Sequence, residues 1–505
     1  MTKYLVAHDL GTSGNKATLF TVDGELIKST VSSYDTNYFN ANFVEQDPSD
    51  WWQAVCDSSR QLMEGIDPQA VAAVSFSGQM MGTLCVDKDG TPLRPHIIWA
   101  DMRAVKEQEE ILSKIDAWDF YRMTGHRASA SYSLAKLLWV KNNEPDVYAK
   151  TAKVLHAKDY IVFKMTGKFM TDYSDASGTN AFDLNKFEWS SEILDAVGVD
   201  MDLFPEAVES IHVAGEMTTQ AANECGMAPG TPVVMGAGDG IAACVGAGSV
   251  KEGITYNCLG SSSWIATTTK EPIYDDKMRT FTWAHMTKGM VSPCGTMQTA
   301  GAAYAWMKKE LCKYEGLKTE MDGGSAYDLI NAQIDAVPAG SNGVFFLPYL
   351  LGERSPRWNP NARGTFLGLK MENTHADMLR SVVEGFAMNL RLILDVMKTG
   401  VDVKEVIVLG GLAKSDEVLQ ILADVFGLDI LPLNYLEEAS SIGAAVAAGV
   451  GVGALSDIGE VSRFVRPVGR FSPNEQNNIY YQKALKLFNK AYDSLVEVYD
   501  EMAKL

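Results

Sequence analysis

Short apolar runs of strand length alternate with longer stretches in which apolar residues recur every three to four positions, and they do so in both halves of the 505-residue chain. That alternation predicts an α/β fold. Extended runs at residues 4–8 and 253–258 each end on a turn rich in Gly, Ser and Thr and lead into another extended stretch, so each reads as a hairpin. The two turns share one pattern. Leu10, Gly11, Thr12 and Ser13 with Ala17 and Thr18 form the first copy; Leu259, Gly260, Ser261 and Ser262 with Ala266 and Thr267 form the second. Further strands are predicted at 71–76, 95–99, 231–235 and 406–409, and helices at 134–141, 158–164, 241–248, 299–309, 378–397 and 415–426. Residues 475–505 carry apolar positions at helical spacing, which predicts a long terminal helix packed back on the body.

Composition narrows the partners. An apolar fraction of 46% with 21% charged residues is that of an ordinary globular protein, long enough for two or more domains. A formal net charge of −20, with no Lys/Arg-dense face or basic tail, argues against a nucleic-acid partner. A phosphorylated ligand must then be held by local dipoles and a metal. The seven cysteines have no paired or zinc-like spacing and read as buried free thiols in a reducing cytosol. No export signature and no apolar run of about 18 residues is visible, so the expectation is a cytoplasmic protein without a membrane partner. The seven histidines form no ligand spacing, and the 23 methionines, spread through both halves, fit adaptable cores.

The repeated turns are the first candidate chemistry. A tight Gly/Ser turn points backbone N–H groups and small hydroxyls outward, and two of them across a cleft would hold a polyphosphate. The strand at 71–76 ends on Ser77-Gly78-Gln79-Met80-Met81-Gly82, the end of a strand where ligands bind in α/β folds. The strand at 231–235 runs into Gly236-Ala237-Gly238-Asp239-Gly240. An aspartate between glycines at such a point either caps the next helix or projects into a cleft as a proton acceptor. Its position about twenty residues before the second turn favours the cleft. Trp99, Asp101 and Asp175 either complete a pocket or brace the loops around it. No Gly-x-x-x-x-Gly-Lys-Ser/Thr loop is present, and no Gly-x-Gly-x-x-Gly opens a helix, which excludes a P-loop kinase and disfavours a nicotinamide dehydrogenase.

Nearly the whole chain resembles the FGGY family of carbohydrate kinases, and within it the xylulokinases. The matching segments run in order: Asp9-Leu10-Gly11-Thr12-Ser13-Gly14 with Lys16, Glu45-Gln46-Asp47-Pro48, Ser77-Gly78-Gln79-Met80, Lys158-Asp159-Tyr160, Ser174-Asp175-Ala176-Ser177-Gly178-Thr179, Gly238-Asp239, Gly352-Glu353-Arg354, Glu384-Gly385 and Gly410-Gly411. The resemblance implies two actin-like (ribonuclease H-like) lobes with a nucleotide and sugar cleft between them. Residues 1–247 would form the N-terminal sugar-binding lobe and 248–505 the C-terminal nucleotide-binding lobe.

It further implies an ATP-dependent kinase using Mg²⁺, with Asp239 as catalytic base and Asp9 organising the metal. Gly11, Thr12, Ser13 and Lys16 would line one phosphate turn and Gly260, Ser261 and Ser262 the other. Ser261 stands where the family usually has Thr. Gly301 would lie beside the nucleotide, and Gly410, Gly411 and Ala413 beneath the adenine. Met80, Met81, Trp99, Asp239 and Gly240 would meet the sugar. Met81 and Gly240 replace a His and an Asn usual in xylulokinases, which removes two polar groups from the sugar side. The implied acceptor is D-xylulose or a related pentulose, the alternatives being another sugar, a polyol or a sugar acid. An actin-like nucleotide-dependent sugar-binding protein without kinase activity is the other class of function. Homodimers are common in the resembled family.

Overall fold

The computed structural model describes residues 3–505. Two mixed sheets carry the molecule, and each is built around one of the predicted hairpins. In the first, β1 (Tyr4–Leu10) and β2 (Gly14–Thr21) pair antiparallel, with Asp9 opposite Lys16. β3 (Leu26–Ser33) forms the edge and alternates half-buried with exposed residues, as a strand with one wet face does. On its other side β1 runs parallel to β4 (Val71–Gly78). With β5 (Val213–Glu216) and β6 (Pro232–Val234) the order is β5-β6-β4-β1-β2-β3, and the two-residue β7 (Ala237–Gly238) pairs with the end of β4.

The second sheet repeats this plan. β8 (Thr255–Leu259) and β9 (Ser263–Thr267) make the hairpin, β10 (Phe281–Ala284) and β11 (Val291–Met297) continue it antiparallel, and β8 runs parallel to β12 (Glu405–Leu409) beside β13 (Asp429–Pro432). Each repeated turn therefore sits at the C-terminal end of a central strand, flanked by a parallel neighbour. The central strands are covered on both faces: β1 is mostly apolar, and β8 is buried throughout, its polar Thr255 and Asn257 hydrogen-bonded to β9.

Helices cover both sheets. α1 (Pro48–Met63) starts where Asp47 accepts a hydrogen bond from Ser49 N and Pro48 supplies the first helical φ. α2 (Ala157–Thr166), α3 (Tyr173–Ser177) and α4 (Asp239–Gly246) follow in the first half. The second half holds α5 (Gly301–Glu310), α6 (Ala326–Asp335), α7 (His375–Met397), α8 (Asp416–Phe426), α9 (Ala439–Gly451) and α10 (Glu475–Met502). α10 packs on α7 and α8 through a face that buries Tyr481, Phe488 and Tyr492.

The hydrophobic pattern alone leaves 439–451 unassigned, because this run is small and apolar on all sides. In the fold it is a buried helix that crosses α4 and lies on β1 and β4. The crossing is close: a Cβ on Gly246 would lie 1.9 Å from Ala439 O, and one on Gly443 2.0 Å from Ala242 O. Around it a core shared by both halves joins Leu5 and Ala7 of β1 to Ile442 and Val446 of α9 and Tyr256 of β8. All seven cysteines are free and buried. Among the described residues no helix is long and apolar enough to cross a membrane.

Candidate active site

Asp9 ends β1 with Ser77 beside it on the parallel strand β4. Ser77 Oγ donates to Asp9 Oδ1 at 2.7 Å. Burial raises the Asp9 pKa, and the Ser77 hydrogen bond and the Lys16 charge oppose that rise. Lys16, opposite Asp9 in the hairpin, reaches across to the second half, where its Nζ donates to Glu438 Oε1 and Glu437 O at 3.1 Å each.

Asp239 is the first residue of α4, and its Oδ1 accepts from Gly240 N at 2.7 Å. Gly238 is the N-cap of α4 and no side chain caps the helix, so of the two alternatives left by the sequence the aspartate takes the cleft one, held by its neighbour's N–H. The side chain opens onto the cleft with protein around it. Partial loss of hydration, helped by the negative charges of Asp9 and Asp175 and opposed by the Gly240 N–H, pushes its pKa up to about 7.

A cavity borders each of these turns. The smaller, about 260 Å³, is lined by Asp9, Gly11, Met80, Met81, Trp99, Asp239 and Gly240. Its remaining walls are Trp264, Phe281, Trp283, Cys294, Thr296, Arg354 and Ser440. The larger, about 670 Å³, is lined by Gly260, Ser261, Gly301 and Gly411, with Tyr304, Asn331, Ser325, Lys414 and Glu437 among its other walls. Glu437 borders the larger cavity and Ser440 the smaller. Three residues of chain span at most about 10 Å, so a molecule the length of a nucleoside triphosphate lying in one would reach the other.

Local backbone explains several of these placements. Met81 has φ +64°, a left-handed conformation unusual for a side chain of its size, and buried Lys136 donates from Nζ to Met81 O at 2.9 Å and to Ile98 O at 2.7 Å. Desolvation lowers the Lys136 pKa to about 7. Trp99 Nε1 donates to Thr12 Oγ1 at 2.9 Å, which ties the smaller cavity to the first turn. At the second turn the N-terminus of α5 is stitched down: Ala300 N and Ala302 N donate to Ser261 O and Gly301 N to Gly260 O.

Not every expected residue faces a cavity. Ser13 is exposed, Ser262 turns along the hairpin, and Lys16 is held by Glu438. Ala413 is buried in the core of the second half. Gly410 closes β12 with φ +96°, where a Cβ would lie 2.6 Å from Leu259 O. Asp101 and Asp175 are both buried away from the cavities. Asp101 accepts from Val44 N at 2.6 Å and pairs with Arg103 at 2.7 Å, while Asp175 lies 3.0 Å from Lys158. Both therefore brace loops. The aromatic walls Trp264, Phe281 and Trp283 and the cation Arg354 went unassigned by sequence reasoning. Gly352-Glu353-Arg354 offered a signal, a cation in a Gly-containing loop, but not the direction in which it points.

Models of the FGGY family of carbohydrate kinases match twice, the N-terminal domain over residues 4–246 and the C-terminal domain over residues 255–452. The chain belongs to the FGGY family of carbohydrate kinases. Its enzyme class is that of an FGGY sugar kinase. It is 31% identical to a xylulose kinase of Bacillus subtilis (strain 168), a match covering 97% of each chain. It is 28% identical to a gluconokinase of the same strain, covering all of this chain and 98% of the other. Among solved structures, gluconate kinase from Lactobacillus acidophilus superposes with a TM-score of 0.92 at 27% identity, covering 99% of this chain and 100% of that one. Relatives named for a ketose and for a sugar acid are thus similarly near, and FGGY membership leaves the sugar open.

FGGY kinases act on phosphorylated donors, and the cleft is suited to a hard divalent cation such as magnesium. Two carboxylates, Asp9 and Asp239, border one cavity and repel each other. Ser77 engages only Oδ1 of Asp9, which leaves an oxygen donor for a metal or its water.

Proposed function

We propose that this chain transfers the γ-phosphate of ATP to a hydroxyl of a ketose, with D-xylulose or a related pentulose as acceptor. One observation carries this reading. A carboxylate, Asp239, borders a sugar-sized cavity at the first turn, and a nucleotide-sized cavity borders the second turn, with Ser440 on one and Glu437 on the other only three residues apart.

Phosphoryl transfer needs in-line positioning, charge neutralisation and a group to take the hydroxyl proton. Asp239 takes that proton on its carboxylate. The backbone N–H groups and hydroxyls of the Gly11–Ser13 and Gly260–Ser262 turns hold the phosphates from the two sides, Lys16 bridges the lobes near them, and Gly411, with open space where a Cβ would stand, leaves room for the flat base. A magnesium ion held through Asp9 would supply charge neutralisation on the phosphates. Trp99, Met80, Met81 and Gly240 shape the sugar end, and the Trp264, Phe281 and Trp283 rings exclude water from it.

A sugar acid is the second reading, and Arg354 favours it. Its guanidinium borders the smaller cavity and lies 5.9 Å from the Phe281 and Trp358 ring centroids, free to meet a carboxylate. The test is coupled ADP release with Mg-ATP across pentuloses, hexuloses, polyols and aldonates. One fast pentulose supports the first reading and one fast aldonate the second. Slow ADP release that no sugar accelerates would reject the kinase assignment in favour of a nucleotide-dependent binding protein.

A further inference from the structure

Lys158 lies at the start of α2 with no solvent exposure, and three carboxylates surround its ammonium: Asp159 at 2.8 Å, Asp172 at 2.9 Å and Asp175 at 3.0 Å. Burying so many charges is expensive, and well-packed apolar side chains often serve stability as well or better. The cluster also resembles a metal site, because His156, Asp159 and Asp175 bring ligand atoms within 4.8 Å of one another. Lys158 supplies the cation there itself.

What the cluster touches gives it a role. Asp172 accepts from Lys158 through Oδ1 and from Ser174 Oγ through Oδ2 at 2.6 Å, and Ser174 Oγ in turn accepts from Gly238 N at 2.9 Å. Gly238 is the residue before Asp239. The donations converge on Asp172: the Lys158 ammonium and the Ser174 hydroxyl both donate to it, and Gly238 N–H donates to that hydroxyl, so the backbone that carries Asp239 is tied to the buried ion cluster. On its other side the Lys158 stem presses on the end of β4, where a Cβ added to Gly78 would lie 2.9 Å from Lys158 Cβ. Gly78 is paired with Gly238 and follows Ser77, the residue that holds Asp9. One buried side chain thus reaches towards both acids of the cleft, through Asp172 and Ser174 to Gly238 and through Gly78 to its neighbour Ser77.

We propose that the Lys158–Asp172–Ser174 relay is a positioning device that fixes Gly238, and so sets where Asp239 stands relative to Asp9. This rests on Asp239 being the proton acceptor. None of the three relay residues lines the cleft, so they are positioning residues and not catalytic ones. A carboxylate displaced by about 1 Å from its productive place costs on the order of a hundredfold in rate.

Ser174→Ala is the informative variant, since it cuts the relay at one hydroxyl and leaves the buried ion cluster intact. The expected result is a kcat lowered about ten- to a hundredfold, with KM for ATP and for the accepted sugar within about twofold and an unchanged melting temperature. Hydrogen exchange of residues 236–246 should also accelerate while the rest of the chain keeps its protection. An unchanged kcat, a raised sugar KM at constant kcat, or a loss of activity matched by loss of folded protein would each overturn the proposal. A wild-type protein that phosphorylates no sugar would instead sink the kinase reading, and the exchange of 236–246 would then decide the relay alone: unaltered protection in Ser174→Ala rejects it.

Discussion

Replacing Asp239 with Asn tests the chemistry with little structural disturbance. The amide is nearly isosteric with the carboxylate, and its Oδ1 can still accept from Gly240 N, so the one hydrogen bond that the side chain makes at the start of α4 is kept. What is lost is the ability to take a proton. General bases typically contribute about 10²- to 10⁴-fold, and a fall of that size in kcat is expected at pH 8, with KM for ATP changed by only a few fold. The pH dependence gives a second, independent magnitude. The base works deprotonated and its pKa in the unliganded protein is pushed up to about 7, so about one in eleven wild-type molecules is competent at pH 6 and about ten in eleven at pH 8, which predicts roughly a tenfold rise in kcat/KM across that interval. The rise should vanish in Asp239→Asn. Initial rates of ADP release from pH 5.5 to 8.5, in buffers of constant ionic strength, measure both. A variant that keeps more than a tenth of wild-type turnover, or one that retains the wild-type pH slope, would refute Asp239 as the base.

Gly301→Ala places a Cβ 2.4 Å from Gly260 O, where only backbone can yield, so the second turn should shift and KM for ATP rise at least tenfold in steady-state assays; an unchanged KM would remove that turn from the nucleotide site. Gly443→Ala drives a methyl into the α4–α9 crossing, 2.0 Å from Ala242 O, and should cost about 1–3 kcal/mol by chemical denaturation, an effect that unchanged midpoints would contradict. Arg354→Gln should raise KM at least tenfold for an aldonate and leave that for a neutral ketose within about twofold; equal effects on both would deny Arg354 a part in reading charge.

Local pattern determined a good deal of this protein. Both hairpins, the strands leading to Ser77 and Asp239, and the long terminal helix follow from runs and turns whose signals lie within ten to thirty residues. The two repeated turns disclosed a duplicated architecture because the same backbone need, a tight turn with outward N–H groups, selects the same small residues twice. Asp239 stood out as an aspartate between glycines after a strand, where such folds place ligands, whereas Asp9 was singled out through the family resemblance; the structure puts both on one cavity. Met80, Met81, Trp99 and Gly240 share one cavity with them, as their positions after strands implied.

Other features exist only in three dimensions. Arg354 and the Trp264, Phe281 and Trp283 walls come to the smaller cavity from the second half; the Gly-containing loop marked Arg354 without giving its direction, and nothing near the three aromatic residues separates a cavity wall from a core residue. Ala413 follows the Gly410–Gly411 pair yet turns into the core, because the direction of a side chain in a short helical turn is set by the packing beneath it. Residues 439–451 lack periodicity because neighbours surround them on every side, so the helix that joins the two sheets leaves no amphipathic trace. The Lys158 cluster joins Asp159, next to the lysine in the chain, to Asp172 and Asp175 from a later segment, and their distances of 2.8–3.0 Å from Lys158 Nζ are a property of the folded interior. Sequence encodes the elements through contacts near in the chain, whereas the cleft is made by contacts far apart in it, and only the packing of the two halves brings those into one place.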